Sequence, residues 1–304
     1  GKTSLTVTKK WDDAENQDGL RPKTIKVQLY ADGQKLGKEV ELSEDNKWSY
    51  TFSDLDEKKD GKTIQYTVKE TKVPEGYTQT VEATNLGQVV ISNTHTPSKT
   101  KVQLTKKWDD ANNQDGIRPA SITVRLYKDG APTDQTIELS EANQWHGTFE
   151  NLDVNAAGKA LNYTVKEENV PEGYTLSIDD KDPAHLVLTN KHEPNVTQIQ
   201  VTKKWDDGDD KDGLRPKTIK VQLYADGKKA GEVVELSVDN KWTYTFTDLV
   251  EKANGKAISY TVEEVDVPEG YQVSKIDDGK GNVVLTNKHE PSIPPTTTTE
   301  EPKK

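Results

Sequence analysis

One spacing of 97 residues organises nearly the whole chain. Tryptophan recurs at this spacing twice in every copy, and the only three phenylalanines share it. The positions in step include Trp48, Trp145 and Trp242, and Phe52, Phe149 and Phe246. Because repeats fix an architecture before any local pattern does, the 304 residues are predicted to form three similar domains in tandem. Their predicted boundaries are 1–97, 98–194 and 195–291, followed by a Pro/Thr-rich tail, 292–304, that we expect to be disordered.

The composition is too polar for a large hydrophobic core. Apolar residues make up 31% of the chain and charged residues another 31%, so a domain of about 100 residues would be marginal without an additional tie. Disulfides cannot supply it, because the chain has no cysteine. The five histidines are scattered, and three of them are one position seen three times: His95, His192 and His289. We therefore expect no metal site and no cofactor.

The net charge of −11 argues against nucleic acid as a partner, because such binding depends on neutralising phosphates. No apolar run is long enough to cross a membrane, so no membrane insertion is expected. The sequence shows no secretory signal peptide, and a strand pattern begins almost at Gly1. We expect the chain to be part of a longer protein.

Apolar and polar residues alternate along the strand-like segments of each copy. In the first copy these segments are residues 5–11, 23–30, 39–42, 48–52, 64–70 and 89–93. A period of two is typical of half-buried strands, and the Asp-Gly and Pro-Glu-Gly clusters between them indicate turns. About seven short strands per copy, with no sustained helical period, predict an all-β chain of three β-sandwich domains. The short joints between copies predict an elongated array.

Strand parity places three polar side chains per copy where apolar ones belong. Lys9 shares its face with Val7 and Trp11, whereas Lys10 points to the other face. Glutamate and asparagine end later alternating segments in the same way. The nine core-facing residues are Lys9, Lys106 and Lys203; Glu70, Glu167 and Glu264; and Asn93, Asn190 and Asn287. Burying a charged group is costly, so an amine, a carboxyl and an amide repeated three times require an explanation.

Two interpretations fit these residues. In the plainer one, the lysine snorkels from a strand end or forms a buried salt bridge with the glutamate. In the other, the lysine amine and the asparagine carboxamide condense into an intramolecular isopeptide bond. Burial lowers a lysine pKa and raises a glutamate pKa, so a neutral amine could attack while the protonated glutamate polarises the amide and shuttles protons. The presence of all three groups together favours the isopeptide interpretation.

Short motifs recur beside these positions. They are Lys-x-Trp-Asp-Asp, Asp-Gly-x-Arg-Pro, Tyr-Thr-Val-x-Glu, Pro-Glu-Gly-Tyr and Asn-x-His. Together they resemble the B-type repeat domains of the Cna-like collagen adhesins of Gram-positive bacteria, over about residues 1–291. The resemblance implies an Ig-like, transthyretin-like β-sandwich. It also implies that the lysine two positions before the tryptophan is crosslinked to the asparagine, and that the glutamate four positions before the Pro-x-Gly-Tyr turn is the catalytic acid. Those are the nine residues that parity selects.

The resemblance further implies an extracellular surface protein anchored to the cell wall. No sortase-type anchoring signal and no collagen-binding region are visible in the sequence. We expect both to lie in other parts of a longer protein.

The acidic loop at residues 11–19 could suggest a calcium site. It lacks the alternating ligands of an EF-hand loop, because Ala14 stands where the first ligand should be and no glutamate closes the loop at the twelfth position. Asx-turns that fix the exit of the first strand are the favoured explanation.

A Lys9–Asn93 bond would join the first strand to the last and close a loop of roughly 85 residues, which by analogy with a disulfide stabilises by about 4–5 kcal/mol. The leading hypothesis is a structural stalk that projects a ligand-binding region from the cell. The alternative is that the repeats themselves bind a host extracellular-matrix ligand or self-associate, which a large exposed apolar patch would favour. No nucleophile–base set is visible, so no enzyme is expected beyond the single-turnover, autocatalytic bond.

Overall fold

The computed structural model describes residues 1–84 and 86–293. Apart from residues 292–293, the expected disordered tail lies outside the described residues. Strands dominate the described part, and its helical elements are three single-turn 3-10 helices, one in each copy. The all-β prediction is confirmed.

The three copies repeat the same order of strands. In the first copy the strands are β1 (Lys2–Asp12), β2 (Thr24–Ala31), β3 (Gln34–Lys35), β4 (Val40–Ser43), β5 (Ser49–Asp56), β6 (Lys58–Lys59), β7 (Lys62–Thr63), β8 (Tyr66–Glu70), β9 (Thr78–Ala83) and β10 (Gln88–Thr94). In the second they are β11 (Lys99–Asp109), β12 (Ser121–Lys128), β13 (Ala131–Ser140), β14 (His146–Asp153), β15 (Asn155–Ala156), β16 (Lys159–Ala160), β17 (Tyr163–Glu168), β18 (Thr175–Asp179) and β19 (His185–Lys191). In the third they are β20 (Val196–Asp206), β21 (Thr218–Ala225), β22 (Lys228–Ser237), β23 (Thr243–Val250), β24 (Lys252–Ala253), β25 (Lys256–Ala257), β26 (Tyr260–Val265), β27 (Gln272–Asp277) and β28 (Asn282–Lys288). The 3-10 helices are Glu44–Asn46, Glu141–Asn143 and Val238–Asn240.

The first and last strands of a copy are direct neighbours. In the first copy the sheet order is β5-β1-β10-β9. Strand β1 runs parallel to β10, with Val7 opposite Val89 and Trp11 opposite Asn93, and antiparallel to β5. The third copy repeats this arrangement in the order β23-β20-β28-β27. A parallel pair needs a long crossover between its strands, and here the rest of the copy forms that crossover.

A second sheet covers the inner face of the first. In the first copy β2 pairs with β3, β4 and β8, and the later copies have the orders β13-β12-β17 and β22-β21-β26. Buried residues of both sheets form one hydrophobic cluster, to which Val7 contributes from β1, Val27 from β2 and Leu42 from β4. Each of these three is fully buried. The β-sandwich prediction is therefore confirmed.

Two local features differ from the sequence pattern. Trp48 was expected to open a strand, but it follows the Ser43-capped 3-10 helix with a left-handed φ of 58°, and β5 begins at Ser49. Strand β9 was not expected. Its residues are almost all exposed, so they lack the alternation of a half-buried strand, and β9 is held at the sheet edge by its antiparallel pairing with β10.

The described chain groups into two compact units. The first comprises Gly1–Lys106, Ser121–Asn169 and Ile178–Leu188, and the second comprises Lys107–Ala120, Val170–Ser177 and the described residues from Thr189 onward. The division runs through the middle copy. The predicted boundaries after residues 97, 194 and 291 stay a prediction.

Within the first unit, the loop after β1 contacts the hairpin β15–β16. Gln17 Nε2 donates to the carbonyl oxygen of Asn155 over 3.1 Å, and the Gly158 amide donates to the carbonyl oxygen of Gln17 over 2.9 Å. Asn155 Nδ2 donates to Asp18 Oδ1 over 3.2 Å. A Cβ added to Gly19 would lie 3.0 Å from Gly158 Cα. Because neither Gly19 nor Gly158 has a side chain, the backbone of the loop can approach the backbone of the hairpin closely.

The same contact recurs within the second unit, between the loop after β11 and the hairpin β24–β25. Gln114 Nε2 donates to the carbonyl oxygen of Lys252 over 3.1 Å, and the Gly255 amide donates to the carbonyl oxygen of Gln114 over 2.9 Å. A Cβ added to Gly116 would lie only 2.6 Å from Gly255 Cα. This loop–hairpin contact is thus a repeated element of the fold.

Replacing Gly116 by alanine is expected to open the loop–hairpin contact, and Gly213→Ala is the matched control. Both glycines have a left-handed φ, 70° and 67°, so alanine carries a similar strain of about 1–2 kcal/mol at either site. A Cβ at Gly116 would collide with the backbone of Gly255, whereas a Cβ at Gly213 would meet none of the described residues within 4 Å. Amide exchange at Gly255, measured by NMR, should accelerate in Gly116→Ala and stay unchanged in Gly213→Ala. Equal exchange in the two variants would contradict the contact.

Candidate crosslink site

In the first copy, the predicted trio comes from three strands of the two sheets. Lys9 lies on β1, Glu70 ends β8 and Asn93 lies on β10. Lys9 Nζ is 2.9 Å from Glu70 Oε1, and the exposed fraction of both side chains is 0%. Asn93 Nδ2 donates to Glu70 Oε2 over 3.0 Å, and Asn93 is fully buried. The fold thus brings an amine, a carboxyl and an amide into one contact inside the core.

The third copy has the same geometry. Lys203 Nζ donates to Glu264 Oε1 over 2.5 Å, and Asn287 Nδ2 donates to Glu264 Oε2 over 2.9 Å. The side chains of Lys203 and Glu264 are fully buried. Three residues separated by up to 84 positions in sequence therefore converge in the same way twice.

The middle copy repeats the ion pair. Lys106 Nζ donates to Glu167 Oε1 over 2.6 Å, and neither side chain is exposed. Asn190 is fully buried as well. All nine residues selected by strand parity therefore have their side chains in the interior.

Burial makes the amine of each trio easier to deprotonate. Loss of hydration lowers the pKa of Lys9, Lys106 and Lys203, although the adjacent carboxylate opposes that shift. The buried carbonyl oxygens of Asn93 and Asn287 accept no hydrogen bond from any residue that the structure describes. A half-turn of the amide about its last bond would exchange oxygen and nitrogen. It would place Asn93 Oδ1 where a protonated Glu70 could donate to it.

Aromatic rings cover the lysine of the first copy. Lys9 Nζ lies 4.9 Å from the ring centre of Trp11, two residues further along β1. Trp48 and Tyr77 in turn pack edge-on against Trp11, with ring centres 5.3 and 5.2 Å away. These rings shield the Lys9 amine from solvent, and this loss of hydration is the largest cause of its lowered pKa.

The acidic loop is held by an internal ion pair. Buried Asp13 accepts hydrogen bonds from Arg21 Nη2 at 2.6 Å, from the Tyr77 hydroxyl at 2.6 Å and from the Asn16 amide at 3.0 Å. Burial alone would raise the pKa of Asp13, but these donors lower it below its ordinary value. The Asn16 bond is the Asx-type turn that the sequence favoured over calcium. Nowhere in residues 1–84 and 86–293 do three or more His, Cys, Asp or Glu side chains form a group that could hold a metal ion.

The repeated histidine ties the acidic loop to the end of its copy. His95 Nδ1 lies 2.8 Å from the carbonyl oxygen of Gly76, and His95 Nε2 lies 2.7 Å from Asp18 Oδ2. Both partners can only accept, so both ring nitrogens must donate and the ring is an imidazolium. Asp18 accordingly raises the pKa of His95, and His95 lowers the pKa of Asp18 to about 2. Sequence analysis missed this pair, although Asp-Gly-x-Arg-Pro and Asn-x-His recur together in each copy.

Tandem β-sandwiches with a polar trio buried between the first, a late and the last strand define a class of repeat domains. A family model described as the Cna protein B-type domain matches residues 5–94, 102–191 and 199–288. The chain belongs to this family.

Similar proteins agree with this assignment. A curated collagen adhesin of Staphylococcus aureus is 43% identical over 291 residues, which is 96% of this chain and 24% of the relative. The chain therefore spans about a quarter of that protein's length. The crystal structure of two B repeat units of the collagen binding protein Cna of Staphylococcus aureus matches with a TM-score of 0.56 and 42% identity, over 95% of this chain and 76% of that chain.

The His–Asp pairs predict how stability depends on pH. The pKa of His95 is raised above its ordinary 6.5, so its contribution is complete below about pH 6.5 and is lost as the pH rises through the raised value. The pKa of Asp18 is lowered from 3.8 to about 2, so its contribution is present above pH 3.8 and is lost as the pH falls towards 2. Imidazole NMR titration should show both nitrogens of His95, His192 and His289 protonated at pH 6.5. Ordinary titration of all three would contradict the pairing.

Proposed function

We propose that each copy closes a covalent isopeptide bond between its lysine and its asparagine, and that the array is a structural stalk of a cell-wall-anchored adhesin of a Gram-positive bacterium. The observation that carries the proposal is the buried contact of amine, carboxyl and amide, which Lys9, Glu70 and Asn93 make in the first copy. A salt bridge alone would leave two charges in an apolar core, where the cost of desolvation can exceed the Coulombic gain. Condensation removes both charges.

The reaction follows from the contacts. The Lys9 ammonium passes a proton to Glu70, 2.9 Å away, which leaves a neutral amine and a protonated carboxyl. The amine nitrogen attacks Cγ of Asn93 while Glu70 donates to Oδ1 and stabilises the developing oxyanion. Glu70 then gives its own proton to the leaving amide nitrogen and takes one from the attacking nitrogen, so that it is protonated again at the end. One N–C bond forms, one breaks, and ammonia leaves with the proton count balanced.

The position of the bond suits a mechanical role. Tension enters the first copy at the start of β1 and leaves at the end of β10, and these two strands are parallel neighbours. A Lys9–Asn93 bond lies near the exit end of both strands. Force would therefore pass along β1 and through the covalent bond, and it would bypass the intervening roughly 85 residues.

The relatives support the cellular setting. The curated relative is named a collagen adhesin, and this chain is similar to the B repeat units of the collagen binding protein. By that likeness we place the chain outside the cell, anchored to the wall through regions beyond these repeats. A host matrix ligand would be bound by another region of the longer protein. Among the described residues, no helix is long and apolar enough to span a membrane.

Intact mass spectrometry tests the bonds directly. Each condensation expels one ammonia, about 17 Da, so the expected mass is about 51 Da below the sequence mass for three bonds. Peptide mapping should recover branched peptides that join Lys9 to Asn93, Lys106 to Asn190 and Lys203 to Asn287. A protein at its full sequence mass would exclude the crosslinks.

The role of the glutamate is tested by Glu167→Gln. This near-isosteric change removes the proton shuttle of the middle copy, so the deficit should fall to two ammonia, about 34 Da. The middle copy should also lose about 4–5 kcal/mol of unfolding free energy. The control is Glu168→Gln, at the neighbouring residue whose carboxylate pairs with Arg125 near the surface, and it should keep all three bonds. A full deficit in Glu167→Gln would show that Glu167 is not the catalyst.

A further inference from the structure

The two histidines outside the 97-residue pattern meet at one hydroxyl group in the middle copy. His146 Nδ1 lies 3.1 Å from Thr105 Oγ1, and His185 Nε2 lies 2.8 Å from the same oxygen. The two imidazole nitrogens are therefore no more than 5.9 Å apart, the sum of those distances. In sequence the two histidines are 39 positions apart, so the fold creates this proximity.

The backbone fixes this arrangement on the outer face of the sheet. His146 is the first residue of β14 and stands opposite Thr105 of β11 in the antiparallel register. His185 opens β19, and its neighbour Ala184 accepts a hydrogen bond from the Gln103 amide over 2.8 Å. Both imidazoles are exposed. Lys106, which follows Thr105, points to the opposite, buried face, so this site is separate from the crosslink.

The sister copies lack the imidazoles but keep the threonine. The residues equivalent to His146 are Ser49 and Thr243, those equivalent to His185 are Gln88 and Asn282, and those equivalent to Thr105 are Thr8 and Thr202. In the first copy Thr8 Oγ1 and Ser49 Oγ are 3.5 Å apart. Neither sister needs a histidine there in order to fold.

We propose that His146, His185 and Thr105 bind one divalent cation of the class that prefers imidazole, such as Zn²⁺. Zinc binds histidine nitrogen at about 2.0–2.1 Å, and rotation of the two exposed rings about their side-chain bonds would bring both nitrogens within reach of one ion. The Thr105 hydroxyl oxygen, to which both rings already point, lies beside that ion, and water completes the coordination. Hard cations such as Mg²⁺ and Ca²⁺ prefer oxygen ligands and are not expected to bind.

The charged group nearest along the strand opposes a cation. Lys107 lies two residues beyond Thr105 on the same face of β11, where it is exposed. Solvent and salt screen an exposed charge, so we expect the repulsion between Lys107 and the cation to be weaker than the attraction of the two imidazole nitrogens. The bound ion would link β14 to β19 across β11, and by mass action it would stabilise the folded chain.

Isothermal titration of the full chain with ZnCl₂ tests the site. One Zn²⁺ per chain is expected, with at least a tenfold loss of affinity in His146→Ser and in His185→Gln, which install the residues of the first copy. Zinc should shift the imidazole NMR signals of these two histidines and leave those of His95, His192 and His289 in place. The parent chain should also gain thermal stability with added Zn²⁺, and the double variant should not.

A transplant provides the converse test. Ser49→His with Gln88→His rebuilds the constellation around Thr8, so the stoichiometry should rise to two ions per chain. The proposal is overturned if the parent chain shows no saturable binding, or if binding persists unchanged when both histidines of the middle copy are replaced. It also fails if the transplanted pair adds no second ion.

Discussion

The structure depends on a lysine ammonium placed where water cannot reach it. A protein this polar has little apolar area to stabilise each sandwich, yet Lys9, Glu70 and Asn93 occupy central positions that aliphatic side chains could fill. An ion pair in such a place is weak support for stability, because desolvation offsets attraction. The arrangement makes physical sense as the precursor of an amide, since the same desolvation that penalises the charges frees the amine to react. Burial of the lysine thus has two effects: it makes the core less stable before a bond forms, and it makes the amine more reactive.

The strand order turns that local chemistry into a property of the whole copy. Strands β1 and β10 are parallel neighbours, so the first and last strands of a copy lie side by side, with the start of β1 and the end of β10 at opposite ends of one ladder. Pulling such a pair lengthwise loads its hydrogen bonds together in shear. The proposed covalent bond across the same ladder would fix its register more firmly than the hydrogen bonds do, because each hydrogen bond contributes far less energy. The second sheet then supplies Glu70 from β8 to the exit end of this ladder, where Lys9 and Asn93 lie.

Most of this architecture could be predicted from the sequence, because it depends on the repeat period and on the alternation of apolar and polar residues along each strand. The spacing of 97 residues indicated three domains, and alternation within single strands selected Lys9, Glu70 and Asn93. What could not be predicted depends on contacts between distant segments. Strand β9 has no apolar face, so no alternation revealed it, and its existence follows from its partner. Trp48 follows a capped 3-10 turn and has a left-handed φ, which a hydrophobic pattern cannot predict. His146 and His185 looked unrelated in the sequence, because they come together only when strands β14 and β19 flank Thr105 of β11.

The loop–hairpin contact has a consequence for how such chains vary in size. Gln17 and Gln114 both donate to a backbone carbonyl oxygen, of Asn155 in one case and of Lys252 in the other. The acceptor residue therefore differs between the two contacts, while the glycines keep the same close approach of the two backbones. A chain with one module more or fewer would keep the same loop–hairpin contact at each junction. If the array is the stalk that we propose, its length would change in steps of one module.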